Sequence, residues 1–207
     1  MGICYIVGAG DCAPLDFSPD AGDLVIAADG GLRRLDAAGI RSDLVVGDFD
    51  SLGYVPQADA LVRLPVIKDH TDLQEAANLA FSRGFRRFRI YGALGGERFS
   101  HSIANLQLLG SLAERGCDAA LLDPRCTVRA LHNGVLRLPA QASGFVSVFA
   151  LDDLCAGVTI RGLKYTLENA ELRNRFALGV SNECIGEEAE ISVASGTLLI
   201  VIEKNSR

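Results

Sequence analysis

Two aspartates separated by one residue, Asp48 and Asp50, follow directly on the apolar run Leu44-Val45-Val46-Gly47. A β-branched run of this kind suits a buried parallel strand, and Gly47 ends it where the backbone must turn or approach something closely. The two acids then stand at the carboxyl end of a strand, the edge at which open α/β sheets bind ligands, and carboxylates gathered there are natural oxygen ligands for magnesium. Asp and Ser also make turns, so Asp48 to Ser51 equally fits a plain loop. Two further stretches lead to the same edge: Asp29 with Gly30 and Gly31, and Lys68-Asp69-His70-Thr71-Asp72. Carboxylates collected this way repel one another unless a cation or a proton relieves them. Magnesium does so with one or two carboxylates, completing its shell with water and substrate phosphates.

Phosphate handling needs donors as well. Gly30-Gly31 and Gly95-Gly96 offer backbone amides beside expected helix starts, while Lys68, Arg98 and Arg125 bring positive charge. Singly these are glycine turns and solvated basic residues; together with the acids they fit a magnesium-nucleotide site. His70 and His101 lie in the same stretches, where a packing or capping role is the plainer reading, and His132 is given no role. No Gly-x-Ser-x-Gly elbow supports a serine hydrolase.

The elements that must carry these residues alternate in type up to about residue 123. The apolar stretch Met1 to Gly8 reads as a first strand, followed by the glycine turn Gly8-Ala9-Gly10-Asp11, a turn first and a phosphate-approach loop second. Leu24 to Ala28 is a strand, Leu32 to Ala38 a helix closed by Gly39, and Leu61 to Leu64 a short extended run. Leu73 to Phe81 is an amphipathic helix with Leu73, Ala76, Ala77 and Ala80 on one side, capped by Thr71 or Asp69. Arg86 to Tyr91 reads as a strand. Phe99 to Arg115 reads as a helix with a stripe at Ile103, Leu106, Leu109 and Leu112, and Ala119 to Leu122 as a further strand. Strand, glycine or acid, then helix is the pattern of a layered α/β sheet. From Cys126 the runs are short and alternating (Val128 to Leu131, Val135 to Leu138, Val146 to Phe149, Ala189 to Val193, Leu198 to Ile202), which predicts a smaller all-β sandwich. The expected domains are therefore 1–125, α/β, and 126–207, β-sandwich.

Composition restricts the partners. The chain has 207 residues, 49% hydrophobic and 22% charged, which specifies a folded globular protein. A formal net charge of -6 repels phosphate backbones and anionic membranes, so neither a nucleic-acid nor a membrane partner is expected. The amino terminus lacks a basic n-region and a cleavage site, and no apolar segment approaches the ~20 residues of a membrane span. Six scattered cysteines, with no Cys-x-x-Cys pair, read as thiols in a reducing cytoplasm.

The ordered set Ala28-Asp29-Gly30-Gly31, Gly47-Asp48-Phe49-Asp50-Ser51, Asp69-His70-Thr71-Asp72, Gly95-Gly96-Glu97-Arg98-Phe99-Ser100-His101, Gly162-Leu163-Lys164-Tyr165 and Gly179-Val180-Ser181-Asn182 closely resembles the thiamine pyrophosphokinase family. The resemblance implies an amino-terminal α/β domain, a carboxy-terminal β-sandwich, and a homodimer with active sites between subunits. The implied reaction moves the pyrophosphoryl group of ATP to the hydroxyl of thiamine, giving thiamine diphosphate and AMP. Carried over by motif, Asp48, Asp50 and Asp72 would hold Mg2+ and place the reacting groups. Asp29, Gly30, Gly31, Thr71, Gly95, Gly96 and Arg98 would hold the nucleotide, and Ser181, Asn182, Lys164 and Tyr165, with Asp72, would receive thiamine. One departure stands out: the family pattern Gly-Gly-Arg-x-Asp-His is met here with an extra Glu97 before Arg98 and with Ser100 in place of the Asp. Either Glu97 supplies the missing carboxylate or a hydroxyl fills an orienting role. Two other readings are kept: a non-catalytic nucleotide or thiamine sensor on the same scaffold, and a haloacid-dehalogenase-like phosphatase. The phosphatase motif would follow the first strand and continue with Thr or Val where Leu52 stands.

Overall fold

A computed structural model describes residues 2–12, 14–49, 53–54, 56, 60–65 and 69–204. The chain divides into two compact units, 1–108 with 117–124, and 109–116 with 125–207.

The first unit is a parallel sheet with helices. Its strands are β1 (Cys4–Val7), β2 (Leu24–Ala28), β3 (Leu44–Gly47), β4 (Leu61–Arg63), β5 (Arg87–Tyr91) and β6 (Asp118–Leu122), in the order β6-β5-β1-β2-β3-β4. Every pairing among them is parallel, with Val7 opposite Ala27 on one side and Tyr91 on the other. β1, β2 and β3 are buried at every position, which is why they read as unbroken apolar runs instead of alternating ones. The chain winds outward from β1 through β2, β3 and β4, then returns to place β5 on the other side of β1. The strand order reverses between β1 and β5, the kind of switch point beside whose carboxyl strand ends open α/β sheets bind ligands.

Helices α1 (Gly31–Ala37) and α2 (Asp72–Ser82) and the first part of α3 (Phe99–Glu114), up to residue 108, complete the unit. At seven residues α1 is too short to stand alone. It is held by Leu32 and Leu35, which join Tyr5, Val7, Val25, Ala27 and Val45 in one apolar cluster; burying a leucine contributes about 1.5–3 kcal/mol. Gly31 is required for this approach, since a Cβ there would lie 1.8 Å from the Val7 carbonyl oxygen. α2 packs on β1, β2 and β3 through the stripe Leu73, Ala76, Ala77 and Ala80, all buried. Thr71 is its N-cap: extended backbone presents Oγ1, which accepts from the Gln74 amide at 3.2 Å. α3 departs from the apolar stripe expected of it. Leu109 and Leu112 are buried, but Ile103 is 47% exposed, and the inward positions of the first turns are Ser102 and Asn105.

The second unit is a sandwich of two antiparallel sheets. β7 (Cys126–His132), β9 (Phe145–Ala150), β12 (Gly179–Glu183) and β14 (Thr197–Glu203) pair as β12-β9-β14-β7. β8 (Val135–Leu138), β10 (Cys155–Arg161), β11 (Leu167–Leu172) and β13 (Ala189–Ser192) pair as β11-β10-β13-β8. Val146, Val148, Leu198 and Ile200 of one sheet meet Val158, Ile160, Leu172 and Ile191 of the other in a single core. β10, β11 and β12 carry no clean alternation in sequence. Their register shifts near Gly157, at φ +67°, and between Gly179 and Asn182, where Ser181 stands at φ +57°.

Candidate active site

The crevice at the strand reversal is a cavity of about 540 Å³. Gly8, Ala9 and Gly10 reach it from the end of β1, Ala28 and Asp29 from β2, and Gly92, Ala93 and Gly95 to Arg98 from β5. Thr71, Asp72 and Leu73 close it with the first turn of α2, and His101 and Asn105 with α3.

One wall consists of two loops bonded to each other. Gly8, Gly10 and Asp11 donate their amides to the carbonyls of Tyr91, Gly92 and Leu94, each at 2.8 Å, so the pairing of β1 with β5 continues past the strands. Gly92, at φ +61°, brings its backbone so near that a Cβ would lie 2.3 Å from the Gly8 oxygen. The inward polar residues of α3 serve the same wall. Asn105 donates to the Ala93 carbonyl at 2.6 Å, and Ser102 Oγ accepts from the Gly95 amide at 3.0 Å. The Gly96 amide donates to Asp11 Oδ1 at 3.3 Å. The amides of Gly95 and Gly96 are therefore spent inside the wall, and the pair faces the cavity as a smooth surface without side chains. From behind, Arg34 of α1 donates to the carbonyls of Ala9, at 3.0 Å, and Gly10.

The charged side chains face this wall. Asp29 is held at φ +49° just past β2, where its amide donates to the Val46 carbonyl at 2.8 Å. The close approach requires Gly47, whose Cβ would come within 3.2 Å of the Asp29 backbone. Asp72 is the first residue of α2, and Arg98 precedes α3. Burial lowers the pKa of His101 below the ordinary histidine range, the nearby Arg98 guanidinium lowers it further, and Asp72 opposes both.

Of the residues singled out in the sequence, Asp29, Thr71, Asp72, Gly95, Gly96 and Arg98 line this one cavity. Asp48 stands half-buried one residue past β3 and does not line it. Gly30 and Gly31 are also outside the lining; Gly31 serves the packing of α1 on β1. Asp50, Ser51 and Lys68 lie outside the described residues. In the second unit, Asn182 is 4% exposed and fastens the turn before β11. Its Oδ1 accepts from the Tyr165 amide at 2.9 Å, and its Nδ2 donates to the Tyr165 carbonyl at 2.6 Å. The Ser181 amide donates to Ser147 Oγ at 3.1 Å, and Lys164 pairs with Glu183 at 2.6 Å, which raises the lysine pKa. The Tyr165 ring is left 61% exposed. Among the described residues no group of three His, Cys, Asp or Glu side chains is gathered to hold a metal unaided. Gly92, Ala93 and Asn105 line the cavity without having been singled out, and Gly8, Ala9 and Gly10, whose second reading was a phosphate-approach loop, line it too. Ser102 and Asn105 did carry a signal: two polar residues three apart on the inward face of an otherwise apolar helix.

Residues 19–121 match the family model described as thiamin pyrophosphokinase, catalytic domain, and residues 135–198 match thiamin pyrophosphokinase, vitamin B1 binding domain. The chain is similar to the thiamine pyrophosphokinase of Bacillus subtilis (strain 168), 28% identical over 189 residues and 88% of each chain. A crystal structure of thiamine pyrophosphokinase from B. subtilis superimposes with a TM-score of 0.87 at 25% identity, covering 99% of this chain and 100% of that one. One from Geobacillus thermodenitrificans gives 0.84 at 28%, covering 99% and 98%.

Proposed function

The chain belongs to the thiamin pyrophosphokinase family, its two family models together reaching from residue 19 to 198, and from this we infer that it transfers the pyrophosphoryl group of ATP to the hydroxyl of thiamine. The products are thiamine diphosphate and AMP. The observation that carries the reading is the cavity in which Asp29, Thr71, Asp72 and Arg98 converge at the sheet's topological switch point, inside the segment matched to the catalytic domain.

In the transfer, the thiamine hydroxyl oxygen bonds to the β-phosphorus of ATP as that atom's bond to the oxygen bridging the α-phosphorus breaks. AMP departs, and the hydroxyl proton passes to a carboxylate, Asp72 or Asp50. Such a loose transition state asks mainly for positioning and charge neutralisation, so no strong base is needed. Arg98 is the cavity's cation for phosphate oxygens, and the side-chain-free wall admits a bulky nucleotide. Asp72, with Asp48 and Asp50 from the neighbouring loop, would hold Mg2+, which neutralises phosphate charge when bound; two carboxylates suit it, since phosphate and water complete its shell. Lys164, Tyr165, Ser181 and Asn182 all fall within the matched vitamin B1 binding segment, and the exposed Tyr165 ring is available to thiamine. We assign them to thiamine in a homodimer, each sandwich serving the partner's catalytic unit. All six cysteines are free thiols, which supports a reducing, cytoplasmic setting. No helix among the described residues is long and apolar enough to cross a membrane.

With magnesium, ATP and thiamine, phosphorus NMR should show AMP and thiamine diphosphate appearing together; ADP in place of AMP would make this an ordinary kinase. A binding-only sensor is not favoured, because the named relatives are pyrophosphokinases. The haloacid-dehalogenase-like alternative fails on topology, since the acidic pair follows β3 and not β1.

The altered arginine motif gives a second test. Glu97 lines the cavity, whereas Ser100 lies exposed on the first turn of α3 outside the lining. Glu97→Ala should lower turnover about tenfold, the loss of a charge-assisted contact worth roughly 1.4 kcal/mol, and Ser100→Ala should stay within about twofold. Wild-type turnover in Glu97→Ala would end the idea that Glu97 replaces the missing carboxylate.

A further inference from the structure

We infer that Arg34, which does not itself line the cavity, is a positioning residue for the nucleotide side of the reaction. The inference rests on the pyrophosphokinase reading given above. Arg34 lies on α1, half-buried, and its guanidinium donates to two successive carbonyls, Ala9 at 3.0 Å and Gly10. Ala9 and Gly10 are themselves cavity lining.

Three properties make this more than a surface contact. Gly8, Ala9 and Gly10 have no side chain large enough to brace them, so the shape of this stretch depends on where its backbone groups bond. On one side its amides are fixed to the loop after β5. Opposite, the Ala9 and Gly10 carbonyls share one nitrogen of Arg34, Nη2, whose two N–H bonds lie in the guanidinium plane, and without it they would turn to seek water or the cavity. A carbonyl oxygen turned into the cavity would meet a polyphosphate with like charge. The guanidinium also adds a positive field behind the wall. Burial raises the pKa of the adjoining Cys12 thiol, and Arg34 is the strongest influence opposing that rise. Lysine preserves that charge but cannot present two coplanar N–H groups to two carbonyls.

The decisive measurements are KM for ATP, KM for thiamine and kcat in Arg34→Ala and Arg34→Lys. Both variants should raise KM for ATP by about five- to twentyfold, with KM for thiamine and kcat within about twofold and melting temperature within a few degrees. A general weakening of the fold would not produce that split. Wild-type KM for ATP in Arg34→Ala overturns the proposal. So does its full restoration in Arg34→Lys, which would mean that charge alone suffices. Should Arg34→Ala fail to fold, Arg34→Lys decides by itself. If the wild-type protein makes no AMP, the functional reading fails separately, and equilibrium dialysis of ATP against wild type and Arg34→Lys judges the positioning role: weaker binding supports it, equal binding overturns it.

Discussion

Asp72→Asn should lower turnover by roughly 10²–10³-fold while leaving the fold in place, the scale seen when a preorganised electrostatic partner is removed from an active site. The side chain sits on the first turn of α2, inside the cavity, after the Thr71 cap has fixed the helix start. Asparagine preserves the shape and loses only the charge, so the cap and the buried stripe Leu73, Ala76, Ala77 and Ala80 stay as they are. The lost attraction between a first-turn carboxylate and the helix dipole costs about 0.3–1 kcal/mol, too little to unfold the domain. AMP release and a thermal melt measured on the same preparation separate the two effects. Asp48→Asn should behave alike if the loop after β3 contributes to the same cation. Turnover within about threefold of wild type in Asp72→Asn would remove this residue from the chemistry.

A large structural effect is expected at Gly92. Its φ of +61° disfavours any L side chain, and a Cβ there would come 2.3 Å from the Gly8 carbonyl oxygen, a backbone atom that cannot rotate aside. Left-handed strain and overpacking each cost about 1–3 kcal/mol, so Gly92→Ala should lose on the order of 3 kcal/mol in urea unfolding, together with most nucleotide affinity. Gly39 supplies the control. It has a similar φ, +67°, but nothing lies within 4 Å of its would-be Cβ, so Gly39→Ala should cost only about 1 kcal/mol. Equal losses at the two positions would show that dihedral strain alone matters and that the two loops are not closely packed.

The layered class was legible because the first strands are apolar throughout and each ends in glycine or an acid, while the second half alternates. What resisted reading is instructive in physical terms. β10 to β12 escaped because bulges at Gly157 and near Ser181 break the two-residue period on which recognition of a strand depends. Ile103 looked like core because helical spacing counts apolar residues, yet the wall needed hydrogen-bond partners more than it needed another methyl group, and Ser102 and Asn105 took the inward places. Gly95-Gly96 suggested open amides, but whether an amide is open depends on Asp11, and no local pattern connects that residue to this loop. The lining of Gly8, Ala9 and Gly10 was legible only as a second reading for a related reason: a residue that contributes only backbone leaves little chemical signature. Asp29 and Asp72 were easier, since a carboxylate at a strand end or helix start announces itself by type and place.

The wall joining the loops after β1 and β5 has a temporal consequence. Asp11 and Gly96 are 85 positions apart, so this wall of the cavity does not exist until that long loop of chain has closed and β5 has paired with β1. Closures of this span are among the slow, entropically costly events of folding. A nascent chain that has made β1, β2 and β3 already has Asp29 and Asp48 in hand but has no wall to set opposite them. Under the proposed function, affinity for ATP would arrive only with β5, and a chain that has not reached it would neither sequester ATP nor be stabilised by it.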